Sequence, residues 1–387
     1  YNGSSGFKIG ADAADLIWEK ANQVNVGINA ELFNGRLALS VDGYYQKTSG
    51  LLYNISTLAT TGYTTRTANI GSLENKGLEV MVSGKIFDGP FKWELATNLS
   101  YTKNKLLSLD GVLDMKINGG GANTGKVMHA LMVGKPVSAF YMLRQDGIYQ
   151  TDQEVPSKLY AKGVRAGDCN DFDYNNDGDI TDDDRMYVGK VTPDIYGGIT
   201  STMNWKNFDL SIFCQFAAGG KILSAWKGCG GTEGTEHLGL ASSSIKGYKN
   251  GTLVDSEQFY NISKYAANHY WRGEGTSNTV PRPTLAGTFT GGFGNNLVST
   301  RYLEDASYFK FKTITLGYSL PHSLLSKIHV TGARIFVSLD NFFTLTKYSG
   351  YDPEFSYESN PTGNSYGADF GEQATLKSFI IGASINF

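Results

Sequence analysis

Eight aspartates fall between Asp168 and Asp184, and a subset of them has the spacing of a cation loop. Asp173, Asn175 and Asp177 stand at alternate positions, followed by Gly178, Asp179, Ile180, Thr181 and, at the twelfth position, Asp184. In a calcium loop the first, third and fifth positions offer side-chain oxygens. Glycine at the sixth permits a sharp turn, the seventh gives a main-chain carbonyl, an apolar residue at the eighth anchors the loop, and the twelfth closes the shell. This pattern predicts one structural calcium held by Asp173, Asn175, Asp177, Asp179 through its carbonyl, and Asp184. Hard oxygen donors select calcium over softer metals. Asp184 is one methylene shorter than the usual glutamate, and the competing reading is a solvated acidic loop of Asx turns.

Other residues with chemical potential lack the partners that catalysis needs. His237, His269 and His322 are scattered, Ser242–Ser244 has no nucleophile-elbow context, and Glu304 and Asp305 alternate across a strand end instead of forming a glycosidase pair. The glycines at 119–121 and at 291, 292 and 294 precede no helix, so no phosphate cradle is expected. Cys169, Cys214 and Cys229 fit no metal or redox spacing, and Cys214 reads as a small apolar residue on an outer face. Trp226, Tyr270, Trp271, Tyr348, Tyr351 and Tyr357 lie in long loops, where they could stack on sugars, dock a lid protein or pack on one another. An enzyme is not expected.

The elements that would carry these loops are strands. From Ser378 to Phe387, the apolar Phe379, Ile381, Ala383, Ile385 and Phe387 alternate with Ser378, Gly382, Ser384 and Asn386, with Ile380 as the exception. Val24, Val26, Ile28, Ala30 and Leu32 begin a second example that turns at Asn34-Gly35. Leu78, Val80, Val82 and Ile86 lead through Asp88-Gly89-Pro90 into Phe91, Trp93, Leu95 and Leu99. Ile195, Ile199, Met203 and Trp205 turn at Lys206-Asn207 into Phe208, Leu210, Ile212, Cys214 and Phe216. Strands apolar on one face and polar on the other, with 23 tyrosines, 21 phenylalanines, 47 glycines and only 18% charged residues, suit a transmembrane antiparallel β-barrel. No apolar run is long enough for a membrane helix, and a net charge of −3 without a basic stripe argues against nucleic acid.

Alternation and connection length together predict eleven strands, near 18–33, 36–46, 76–87, 91–105, 126–133, 137–149, 194–205, 208–217, 307–320, 332–345 and 375–387. Short turns, at Asn34-Gly35, Asp88-Gly89, Gly134-Lys135-Pro136 and Lys206-Asn207, are assigned to the periplasm and the long connections to the outside. An odd strand number and an unpaired first strand predict one part of a larger barrel that does not close alone.

Several uncommon blocks carry a resemblance. They are WEKANQ at Trp18–Gln23, Leu37 with YYQKT at Tyr44–Thr48, NIGSLENKGLE at Asn69–Glu79, FY at Phe140–Tyr141 with GIYQ at Gly147–Gln150, RYLEDASY at Arg301–Tyr308, TLGYSLP at Thr315–Pro321 and YSGYDPE at Tyr348–Glu354. In this order they resemble the C-terminal barrel part of SusC-like (SusC/RagA) TonB-dependent outer-membrane transporters. The resemblance implies a barrel of about 22 strands around a plug, of which this chain would supply the C-terminal eleven or so. It also implies a SusD-like surface lipoprotein as partner, coupling to the TonB complex through N-terminal parts outside these residues, and import of a large nutrient. An oligosaccharide is the expected solute, with peptide import, a passive porin, or a secreted calcium-binding carbohydrate-active β-protein as alternatives. Residues 168–184 would form a calcium-loop insertion on the extracellular side.

Overall fold

The computed structural model describes residues 16–56, 65–109, 115–117, 129–227, 263–282, 295, 298–325, 330–354, 365–371 and 373–386. Nine long strands form one antiparallel sheet in chain order: β1 (Lys20–Leu32), β2 (Leu37–Ser49), β3 (Ser72–Asp88), β4 (Phe91–Ser108), β5 (Ile195–Trp205), β6 (Phe208–Ala218), β7 (Tyr308–Ser319), β8 (Gly332–Thr346) and β9 (Ser378–Asn386). Each strand pairs with its sequence neighbours. Among the described residues β1 and β9 each pair on one side only, so the sheet is an arc of barrel wall. Among the described residues no helix is long and apolar enough to cross a membrane.

Register carries the alternation across the whole arc. Val41 on β2 lies opposite Ile28 and Val80, and Val80 opposite Leu99. Leu99 meets Gly197, which meets Phe216, and Phe216 meets Phe309. On the last strands Leu316 faces Val337, which faces Ile381. Directly paired residues share a face, so these rows form one continuous outward apolar surface. Phe379, Ile381, Ala383 and Ile385 fall on it as expected, and Ile380 falls with Ser338 on the other face; Phe387 lies outside the described residues. A bulge between Lys85 and Phe87 drops Ile86 from its expected row and puts Phe87 opposite Trp93. That exchange extends an aromatic row at the short-turn end, where Phe87 stacks on Trp93 at 5.9 Å and Phe208 lies 4.7 Å from Tyr318. A second row at the opposite end holds Tyr45, Tyr101, Phe309, Phe311 and Phe343. About ten residues separate the rows, enough for a tilted strand to cross a bilayer.

The expected strands at 126–133 and 137–149 do not span, so the wall has nine described strands and not eleven. β4 pairs directly with β5. Ala130–Met132, Ala139–Met142 and Gln145–Ile148 instead belong to small sheets in the long β4–β5 connection. Accordingly Gly134-Lys135-Pro136 is not a periplasmic turn: the Gly134 amide donates to Leu106 and the Leu106 amide to Lys135, which ties it to the long-connection end of β4.

Most of the buried apolar residues sit at that end, not in the wall. Phe140, Met142, Leu223, Ala225, Val298, Tyr302 and Ala368 form one cluster, and Leu143, Tyr149, Val155, Leu159, Val164 and Ile180 a second. Three connections build the first cluster, with Lys221–Ser224, Leu303–Asp305 and Ala368–Asp369 sharing a three-stranded sheet. Together they make a folded cap on the open end of the wall.

Candidate functional site

The predicted cation loop belongs to this cap. Asp173 accepts the amides of Asp177 at 3.2 Å and Gly178 at 2.7 Å, Asn175 Oδ1 accepts that of Asp177 at 2.9 Å, and Asp177 accepts that of Asp179 at 2.8 Å. Gly178 has φ +77°, a left-handed turn that favours glycine, as the sixth position of a calcium loop requires. Ile180 is buried in the second cluster and anchors the loop as expected.

One of the five predicted ligands, the Asp184 carboxylate, is engaged elsewhere. Asp184 is fully buried, accepting the amides of Tyr174 at 3.0 Å and Thr181 at 2.6 Å, with Asn175 N at 3.4 Å and Thr181 Oγ1 at 3.3 Å. These four donors occupy about all the acceptor directions of a carboxylate. It closes a capping box with Thr181 over the turn Asp182–Asp184. The Asp179 carboxylate pairs with Lys162 Nζ at 2.6 Å, which holds its pKa below the usual range, and the Lys158 ammonium reaches the Asp177 carbonyl. Among the described residues no group of three or more His, Cys, Asp or Glu side chains converges in a metal-binding arrangement. Asp173, Asn175 and Asp177 therefore fit a cation loop in spacing and turn, whereas Asp184 works as a staple.

Beside the loop lies a buried polar network that spacing did not single out. Asp168 takes the Arg282 guanidinium at 2.8 and 2.9 Å, Asn295 Nδ2 at 3.0 Å and the Arg165 amide at 2.8 Å. These partners are more than 100 residues apart for Arg282 and Asn295, so local pattern could not reveal them. Asp171 is buried, and desolvation pushes its pKa up to about 7, against the pull of Arg301 and with help from Asp146. Burial likewise raises the Cys169 thiol to about 12, so it is not a nucleophile at neutral pH.

A clasp fastens the last connection to the wall. Lys310 on β7 is buried and pairs with Asp352 at 2.8 Å and with Glu354; Lys312 meets Glu354 at 2.9 Å, and Tyr308 Oη donates to Glu354 at 3.0 Å. Burial alone would raise both carboxyls, but the lysine hydrogen bonds, with Thr375 on Asp352, outweigh it and hold both below the usual range. Glu304 and Asp305 have separate partners. Glu304 meets Lys227 at 2.9 Å and Ser224 at 2.7 Å, while Asp305 accepts Ser307.

Several loop aromatics are committed to packing. Trp226 Nε1 donates to Tyr348 Oη at 3.3 Å, Tyr348 donates to Asp369 at 2.5 Å, and Trp271 Nε1 donates to Gln150 at 3.2 Å. Tyr270 lies against Arg272, and Tyr351 remains 80% exposed. His269 stacks on Tyr265 at 4.3 Å. His237, Ser242–Ser244, Cys229, the glycines at 119–121 and at 291, 292 and 294, Tyr357 and the side chain of His322 lie outside the described residues.

The inner face of the wall is polar and cross-braced. Arg334 on β8 reaches over Gly317 to Asp209 on β6 at 2.9 Å, and Tyr44 reaches over Gly77 to Thr102 at 3.0 Å. A concavity of about 520 Å³ on this face is lined by Asn29, Ser40, Ser83, Asn98 and Thr200 among others.

Residues 1–131 match the family described as TonB dependent receptor-like, beta-barrel. Over those residues the wall is similar to a TonB-dependent receptor β-barrel. A TonB-dependent receptor of Formosa agariphila is 30% identical over 380 residues, covering 96% of this chain and 34% of the relative. TonB-dependent receptor SusC of Bacteroides thetaiotaomicron is 26% identical over 384 residues, covering 96% and 32%. The RagAB peptide transporter structure aligns with a TM-score of 0.72 at 24% identity, covering 96% of this chain and 36% of that one, a likeness of fold. The chain thus spans about a third of the length of the curated relatives it matches. The protein resides in the outer membrane, and its wall carries one continuous apolar face and one polar face, with the folded cap at one end.

Proposed function

We propose that the chain is part of the barrel of a SusC/RagA-type transporter that imports a large nutrient across the outer membrane, driven through TonB and served by a SusD-like lipoprotein. The observation that carries this reading is the pairing of a continuous lipid face with a polar lumen wall under a folded extracellular cap, in a sequence similar to SusC. Each edge of the arc needs a further strand, because an unpaired edge is not tolerated in lipid. The chain spans about a third of its relatives' length, and the proposal assigns the rest of the wall, the plug and the TonB-contacting segment to the other two thirds. An oligosaccharide is the solute we favour, on the similarity to SusC; peptide import is the second reading, favoured by the fold match to RagAB. Deleting the gene and measuring growth on single oligosaccharides and on defined peptides tests both. Loss confined to a glycan supports the first, loss confined to peptides the second, and no loss on any solute overturns import.

The 173–184 loop is proposed to hold one calcium on Asp173, Asn175 and Asp177, with the Asp179 carbonyl, while Asp184 staples the loop instead of closing the shell. The ion would stiffen an external loop. Chelation is expected to speed hydrogen exchange within residues 168–184 and leave β1–β9 unchanged. Equal exchange with and without calcium would overturn this.

A further inference from the structure

The outward face of β2–β4 changes character just beyond its upper aromatic row. Tyr45, Lys76 and Lys103 form one rung across these three strands, and Lys47, Glu74 and Lys105 form the next. All four lysines are exposed. They lie on the same face as Leu78, Val80 and Leu99, one and two outward positions past Tyr45, Tyr101 and Leu78. β3 and β4, at 17 and 18 residues, exceed what a membrane crossing needs, so their upper ends project to the level of the external headgroups.

The charge on these rungs is not balanced from within. Lys76 stands directly opposite Lys103, and like charges in that relation are destabilising. Glu74, which pairs with Lys76 at 3.0 Å and accepts Tyr45 Oη at 3.3 Å, is the one acid on either rung. The patch is also one-sided. Within β5–β8 the paired outward positions at this end are Ile195, Ala218, Phe309, Phe343 and Leu345, none a lysine, whereas single exposed lysines, Lys347 and Lys377, stand just outside β8 and β9. Four lysines on two adjoining rungs occur only on β2–β4 among the described wall strands.

We propose that Lys47, Lys76, Lys103 and Lys105 form a binding site for the phosphate-bearing headgroup of an outer-leaflet lipid. Its acyl chains would lie on the apolar strip of Leu78, Val80, Val82 and Leu99 while its phosphate accepts from several ammonium groups. Lysine serves as a point-charge donor to phosphate, and each basic side chain near an anionic lipid surface adds to retention. The assignment rests on the outer-membrane orientation and is independent of which solute is carried.

The test uses the full-length protein in detergent, titrated with diphosphorylated lipid A or its dephosphorylated form, with bound lipid counted by native mass spectrometry. The comparison variant carries Lys47→Gln, Lys76→Gln, Lys103→Gln and Lys105→Gln, and a second variant carries the lumen-facing changes Lys85→Gln and Lys92→Gln. Heat-modifiable migration checks that each variant is folded, and single lysine changes replace the quadruple variant if it is not. Roughly tenfold weaker retention of lipid A by the quadruple variant, unchanged retention by the lumenal one, and weak binding of the dephosphorylated lipid are expected. Equal retention by wild type and quadruple variant overturns the proposal, as does equal binding of the two lipids. Displacement by millimolar inorganic phosphate would reassign the site to free phosphate. Unchanged lipid retention with loss of a co-purifying lipoprotein would make the patch a protein contact instead.

Discussion

Gly77 shows how single residues set the shape of the inner wall. A Cβ there would stand 2.4 Å from the Tyr101 carbonyl and 2.6 Å from the Tyr44 ring, so the Tyr44 bridge to Thr102 exists because position 77 is empty. Gly77→Ala is expected to cost about 1–3 kcal/mol, because the closest obstacle is backbone and cannot rotate away; the midpoint of urea unfolding in micelles measures it. The two faces of β9 give a paired prediction. Arg at Ile381, on the lipid side, should cost on the order of 2–4 kcal/mol, while Ser384→Arg, facing the lumen beside Arg334, should be better tolerated. Equal loss of folded barrel from both would contradict the face assignment. Sequence spacing made these faces legible because a period of two needs no partner to be seen. The Arg334–Asp209 brace, which spans 125 residues, leaves no local trace.

At the scale of elements, legibility followed burial. Nine wall strands were read from alternation because one face meets lipid and the other water. The segment around Ala139–Met142 misled the same reading: all four residues are buried within the cap, and a strand covered on both sides carries no alternation to test a span against. The cation loop was legible in its turn and anchor, but the fate of Asp184 was not, since its donors are set by the folded loop. Three carboxyl groups give the cap opposing pH responses. Asp171, with its folded pKa raised to about 7, stabilises most below the ordinary aspartate range and loses that contribution as pH rises through neutrality. Asp352 and Glu354, held low, contribute above the ordinary range and lose it as pH falls. Protection of cap amides, corrected for intrinsic exchange, is thus expected to decline between about pH 4 and 7 and level off above, and Asp171→Asn should flatten that limb. Lys310→Met, which leaves buried Asp352 without its ammonium partner while Glu354 keeps Lys312, should cost about 3–5 kcal/mol and expose residues 347–354 to protease.

The molecule as a whole divides its cohesion between two solvents. The wall is stabilised by lipid on one face and strand pairing throughout, while the cap has apolar clusters of the kind found in water-soluble domains. With β1 and β9 each paired on one side only among the described residues, residues 1–387 expressed alone should fail to yield a heat-modifiable, conducting monomer. Electrophoresis with and without boiling, followed by planar-bilayer recording, checks this.

The cap is knitted from distant parts of the chain. Leu143 bridges Ser299, Leu223 lies beside Ala368, and the Ile148 amide donates to Asn278. Contacts so far apart in sequence form slowly unless something else gathers them first. The wall does that gathering, so during biogenesis the long connections must cross to the cell surface unfolded and condense only after the neighbouring strands have zipped. An assembly intermediate with a finished wall and an unfinished cap would therefore arise in every maturing copy, open to external protease and to surface chaperones while already embedded in the membrane.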